Sequence, residues 1–173
     1  MDVATMQANL EGVASGMTST ERAHDFEGLF RDDGPGLWRA LYAYSGGRRK
    51  VADEAVAEAF ARAIAYRRGI RDPLAWIYRT AFRIAAEEMR RDKGSPTTPS
   101  VTVEPPELDG LLNALRELSP NQCAAIVLRF EEGLSVEEVA RRMGIVAPTV
   151  RVHIHRGRKR LRELLGAEEV DDA

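Results

Sequence analysis

The stretch KGSPTTPSVTVEPPE, from Lys93 to Glu107, constrains this chain's fold most strongly. It carries four prolines. Proline lacks an amide donor and pushes its predecessor away from helical geometry, so no helix crosses such a segment. It offers almost nothing to bury and reads as an extended linker over residues 94–107. On each side lie segments of helical period, and no alternating strand of useful length occurs. The expected class is all-α, with two small helical domains at residues 24–93 and 108–166. Residues 1–23 and the acidic end 167–173 read as disordered extensions.

In the first half, FEGLFRDDGPGLWRALYAYS places Phe26, Leu29 and Phe30 on one face. Trp38, Leu41 and Tyr42 continue the pattern after a break expected at Gly34-Pro35-Gly36. SGGRRK reads as a loop. VADEAVAEAFARAIAY is an alanine-rich helix with Val56, Phe60 and Ile64 at every fourth position. YRRGIRD is a basic loop, and Pro73 suits the first turn of the helix that follows. That helix puts Ile77, Ala81, Ile84 and Ala85 on one stripe and Trp76, Arg79, Arg83 and Arg90 toward another side.

The second half opens with the amphipathic LDGLLNALREL. Ser119 then reads as an N-cap with Pro120 at the first helical position, and Gly133 as the end of that helix. Ser135 and Glu138 form an S-x-x-E capping box, and Gly144 ends the short helix it starts. The lone cysteine, Cys123, stands among apolar neighbours in QCAAIVL and reads as buried.

The formal net charge of −2 hides a segregation that matters more than the total. Residues 31–93 hold fourteen Arg and Lys against nine Asp and Glu, whereas residues 1–30 have Arg22 alone against five acids. The densest basic cluster is VAPTVRVHIHRGRKRLRELL, Val146 to Leu165, with six cationic side chains. No apolar run reaches the roughly 20 residues needed to span a bilayer. The start lacks a signal-peptide pattern, so the expected location is the cytoplasm. No nucleophile elbow, phosphate-binding glycine loop or triad pattern occurs, so an enzyme is not expected. His153 and His155 are two apart on a helix and point to different faces, which disfavours a metal site. No cofactor is expected.

Two short helices, a tight turn and a basic second helix make a helix-turn-helix pattern. Val136, Val139, Ala140, Met143 and Ile145 would fix the first helix against the second, with Val150, Ile154 and Leu161 facing inward. Thr149, Arg151, His153 and Arg156 would then meet base edges or backbone. Arg158 and Lys159, with Arg160 and Arg162, would contact phosphates and release counterions.

The stretch ALRELSPNQCAAIVLRFEEGLSVEEVARRMGIVAPTVRVHIHRGRKRLREL resembles region 4 of bacterial RNA polymerase sigma factors of the extracytoplasmic-function group. FEGLFRDDGPGLWRALYAYSGGRRKVADEAVAEAFARAI, followed by AWIYRTAFRIAAEEMRR, resembles region 2 of the same family. The resemblance covers about residues 24–165 and implies a division of labour. Region 2 would dock on the β′ clamp of core polymerase through Asp53, Glu54 and Glu58. The Arg67–Asp72 loop, including Arg67, Arg68 and Arg71, would hold the melted downstream promoter element together with Trp76, Arg79, Arg83, Arg90 and Arg91. Region 4 would read the upstream element through Thr149, Arg151, His153 and Arg156. Leu115, Leu118 and Leu128 would meet the β-flap tip. The resemblance also implies promoter DNA and an anti-sigma factor as partners.

The chain departs from the family pattern at Ala57, where Gln is usual, and at Arg83, where Asn is usual. His153 stands where Arg is common, and Gly46-Gly47-Arg48 replaces a usual Gly-Asp turn. These departures bear on promoter preference. A polymerase-independent helix-turn-helix regulator is the alternative reading, and an adaptor that engages other proteins is a third.

Overall fold

The computed structural model describes residues 25–92 and 106–166. The expected N-terminal extension, the acidic tail and nearly all of the expected linker lie outside the described residues. Seven α-helices account for most of the rest: α1 (Phe26–Tyr44), α2 (Arg49–Tyr66), α3 (Pro73–Asp92), α4 (Pro106–Arg116), α5 (Pro120–Phe130), α6 (Val136–Met143) and α7 (Ala147–Leu165). A 3₁₀ turn, Arg67–Gly69, joins α2 to α3. No strand occurs among the described residues, so the chain is all-α as expected.

Local chemistry sets most helix starts. The Asp25 carboxylate accepts from the Gly28 amide at 2.9 Å, and Asp72 accepts from Ala75 at 3.0 Å, each satisfying an orphan donor of a first turn. Ser119 and Ser135 cap α5 and α6. Both form full capping boxes, with Gln122 and Glu138 reaching back to the cap amides. Only the second box was legible beforehand. Gly144 ends α6 in the left-handed conformation at φ 70°.

The expected break at Gly34-Pro35-Gly36 does not occur: α1 runs unbroken through Pro35. A mid-helix proline removes one backbone hydrogen bond and presses on the preceding turn. Gly34 and Gly36 bring no Cβ to that crowded turn, and the anchoring of both ends of α1 in the core outweighs the local preference. The α5 helix also ends earlier than expected, at Phe130, and Gly133 takes its positive φ two residues beyond the Glu131 cap.

Helices α1, α2 and α3 pack around Leu37, Leu41, Ala55, Ala59, Ile77 and Ala81, none of which is accessible to solvent. Ser45 closes the α1–α2 turn. Its buried hydroxyl lies 3.1 Å from the Tyr42 carbonyl and accepts from the Arg48 amide at 3.3 Å. Of the expected stripe on α2, Val56 and Phe60 are buried but Ile64 is half exposed. Four-residue spacing drifts around a 3.6-residue helix and carries Ile64 off the core face. Phe30 is exposed too and meets Phe60 edge to face, with ring centres 5.0 Å apart.

In the second half α7 crosses α5 at Gly157. A Cβ there would come within 2.9 Å of Ile126 Cγ1, so the absence of a side chain lets the helices approach. Cys123 is buried as expected, and burial pushes its thiol pKa up to about 12. The two halves do not stand apart: α1 packs against α4 and α5, and α3 against α6. Their buried side chains form one continuous cluster running from Phe26 to Val150.

Candidate nucleic-acid interface

The second half presents a helix-turn-helix. Val139 and Val150, both fully buried, pin α6 to α7, and Val136, Met143, Ile145, Ile154 and Leu161 pack around them. The tight turn from Gly144 leads into Val146, the extended N-cap of α7, which has no side-chain capping bond. Pro148 in the first turn has no amide donor, and the Thr149 and Val150 amides both turn back to the Val146 carbonyl, at 3.0 and 3.2 Å, so side chains rather than backbone donors dominate this end.

With its inner face spent on packing, α7 turns Arg151, Arg156, Arg158 and Lys159 outward, all exposed. Thr149 and His153 are half-buried beside them. Arg151 is held by Glu137 of α6 at 3.2 Å, and both side chains remain largely open to water. Such a pair is weak but aims the guanidinium. Arg158 lies over the exposed Phe130 ring at 5.9 Å. The sequence reading missed Val152, which is 44% exposed and lies between Thr149 and Arg156 on the same face. An apolar residue off the Val150–Ile154–Leu161 stripe was the available signal. A valine there can contact a thymine methyl group.

The first half carries its basic residues on α3 and the loop before it. Arg68 and Arg71 are exposed, and the side chain of Arg67 lies outside the described residues. Trp76 is half-buried against the core, leaving only part of the indole to meet a ligand. Arg79 and Arg83 point away from the α3 core stripe into a cleft of about 270 Å³. Tyr78, Arg79 and Arg83 line one side of it, and Leu128, Arg142 and Met143 line the other.

The three acidic residues of α2 share its exposed face, and each has an intramolecular partner. Asp53 accepts from the Trp38 indole at 2.7 Å, Glu54 pairs with Lys50 at 3.7 Å, and Glu58 with Arg62 at 2.7 Å. Trp38 is fixed in turn by stacking on Tyr42 and by Arg49 over its ring. Ala57 is exposed between these acids.

Leu115, Leu118 and Leu128 do not form the expected docking surface. They are 5%, 8% and 1% exposed and belong to the core. Leu128 is turned toward the first half by the packing of α5 on α1, which amphipathic spacing within one helix does not reveal. The apolar side chains that the second half does expose include Leu111, Phe130, Val146, Leu164 and Leu165.

Residues 108–161 match the family described as Sigma-70, region 4. The chain is 37% identical over 91 residues to the RNA polymerase sigma factor CarQ of Myxococcus xanthus, covering 52% of each chain. It is 31% identical over 99 residues to the ECF RNA polymerase sigma factor SigM of Mycobacterium tuberculosis, covering 53% of this chain and 50% of that one. The chain thus spans about half the length of these curated relatives. Its fold superposes with a TM-score of 0.67 on the sigma factor RpoE, solved in complex with the anti-sigma factor NepR from Bartonella quintana. That match has 24% identity and covers 84% of this chain and 99% of RpoE. Residues 108–161 are thus similar to region 4 of sigma-70 factors, and the chain as far as it aligns is similar to RNA polymerase sigma factors of the extracytoplasmic-function group.

Proposed function

We propose that this protein is a transcription-initiation subunit that binds core RNA polymerase and directs it to promoters. The observation that carries this reading is the outward basic face of α7, buttressed by α6, in one chain with a second basic face on α3. One face suits duplex DNA and the other a melted strand. In this reading α7 enters the major groove of an upstream element. Arg151 and Arg156 reach base edges, while Arg158 and Lys159 contact phosphates. The α3 face, with Arg79, Arg83 and the exposed part of Trp76, takes an extruded downstream base, and Arg68 and Arg71 approach the strand backbone. Guanidinium and aromatic stacking offset part of the unstacking cost.

Residues 24–93 act as region 2, residues 108–166 as region 4, and residues 94–107 as the tether between them. The α2 face with Asp53, Glu54 and Glu58 docks on core polymerase. The polymerase supplies the chemistry, so this subunit needs no catalytic group and works in the cytoplasm. A partner of the anti-sigma kind follows by analogy with RpoE, which was solved with NepR. Core-polymerase binding by the purified chain tests this function. Charge reversal at Glu54 and Glu58 together should weaken it. Unchanged binding would move the docking surface elsewhere, and binding to duplex DNA with none to core polymerase would favour the polymerase-independent regulator.

A further inference from the structure

The three acids on the exposed face of α2 differ in what holds them. Glu54 lies 3.7 Å from Lys50 and Glu58 lies 2.7 Å from Arg62, each pair four residues apart on the same helix. A cation that close offsets the charge an incoming partner meets. Asp53 instead accepts from the Trp38 indole Nε1 of α1 at 2.7 Å. That donor is neutral, so the carboxylate keeps its whole charge. It also has a second oxygen with which to take a cation.

Helical spacing alone would give Asp53 a cation too. Arg49 stands four residues before it, the spacing at which acids and bases pair along a helix. The Arg49 guanidinium instead lies over the Trp38 ring, 5.3 Å from its centre. Trp38 thus takes the place of Arg49 beside Asp53 and engages Arg49 through its own π system. The ring is itself fixed. It stacks on Tyr42, with ring centres 5.2 Å apart and planes 10° from parallel, and it packs half-buried against the core of the first half. Its faces serve these contacts, and its N–H serves Asp53.

We propose that Trp38 is a positioning residue for polymerase docking, and that Asp53, held by it, is the strongest docking charge on α2. The proposal rests on the docking function given above and adds a ranking to it. An exposed carboxylate gives up rotamer freedom when a partner's cation takes it. Asp53 has given up much of that freedom in the free chain already. Glu54 and Glu58 must also leave Lys50 and Arg62, or carry those cations into an interface with a basic partner. The group that fits beside Asp53 is a lysine or arginine of the polymerase, approaching the carboxylate oxygen that the indole leaves open.

The test titrates core RNA polymerase with the full chain. Trp38→Phe keeps a ring for Tyr42 and Arg49 and removes the indole donor. It should weaken binding about fivefold, and Asp53→Ala about tenfold. Glu54→Ala and Glu58→Ala should each cost about twofold. Trp38→Phe should cost nothing further in the Asp53→Ala chain, because the ring then has no carboxylate to aim. A tryptophan that only supports the fold would weaken binding equally in both backgrounds, and that additive result overturns the proposal. So does a smaller loss from Asp53→Ala than from Glu54→Ala or Glu58→Ala. If Trp38→Phe fails to fold, NMR of the free chain provides a second measurement. The Trp38 indole proton should resonate downfield in the wild type and move upfield in Asp53→Ala; an unmoved resonance overturns the proposal. Failure of the sigma-factor reading looks different, since the wild-type chain itself would then not bind core polymerase.

Discussion

The basic faces of α3 and α7 have similar chemistry and different settings. On α7, Arg151, Arg156, Arg158 and Lys159 stand in open solvent because the inner side of the helix is pinned by Val150 and Gly157. On α3, Arg79 and Arg83 border a cleft whose other wall is the second half of the chain. Charge alone therefore does not say which surface can bind nucleic acid. The α7 face is open along its outer side, whereas the exposed α3 arginines meet the second half along one edge.

The largest expected effect removes one side of the comparison altogether. Leu41 is fully buried at the centre of the first half. Leu41→Ala should cost about 2–5 kcal/mol in thermal or denaturant unfolding. A loss below 1 kcal/mol would show that this site repacks with little penalty. Next come the readers on α7. Arg151→Ala or Arg156→Ala should cost about 1–3 kcal/mol in promoter-directed initiation and leave core-polymerase binding intact. Normal promoter use by both variants would remove these side chains from readout. Ser135→Ala breaks the α6 capping box and should lower stability by about 1 kcal/mol. Hydrogen exchange should report that loss first in α6, the helix that supports α7.

The smallest effect is a pH dependence of the contact between the two halves at Glu132. Burial is the main cause that raises the Glu132 pKa. The Tyr78 hydrogen bond, Arg39 and Arg142 oppose it, and Glu131 adds to it. Asp33, beside Arg142, is raised as well, again chiefly by burial, with Asp32 adding to the rise and Arg142 opposing it. A carboxylate whose pKa is raised in the packed structure binds its proton more tightly there than when the two halves separate. The contact should therefore be strongest at acid pH and weaken as pH rises through the raised Glu132 value. Scattering across that range should show the chain expanding with pH, and Glu132→Gln should flatten the trend. The opposite trend would mean that the ion pairs with Arg39 and Arg142 dominate.

Much of the fold was legible in the residues. The Ser119 and Ser135 caps, the Gly144 stop and the Val139–Val150 contact each follow from local rules that span a turn or two. Readings that needed three-dimensional neighbours failed. Pro35 looked like a break because its cost is local, while the anchoring that overrides it comes from the core. Leu115, Leu118 and Leu128 looked like a free apolar surface because their partners lie elsewhere in the chain. Glu132 drew no attention, since nothing near it in sequence places it over Gly36 and against Tyr78. Val152 was hidden by the habit of assigning every apolar residue of a helix to its core.

The most direct measurement is run-off transcription with the purified chain, core RNA polymerase and a genomic promoter library. Discrete start sites that depend on the chain, and that weaken with Arg151→Ala or Arg156→Ala, are the predicted result. A chain that neither associates with core polymerase nor produces any new start site would contradict the account.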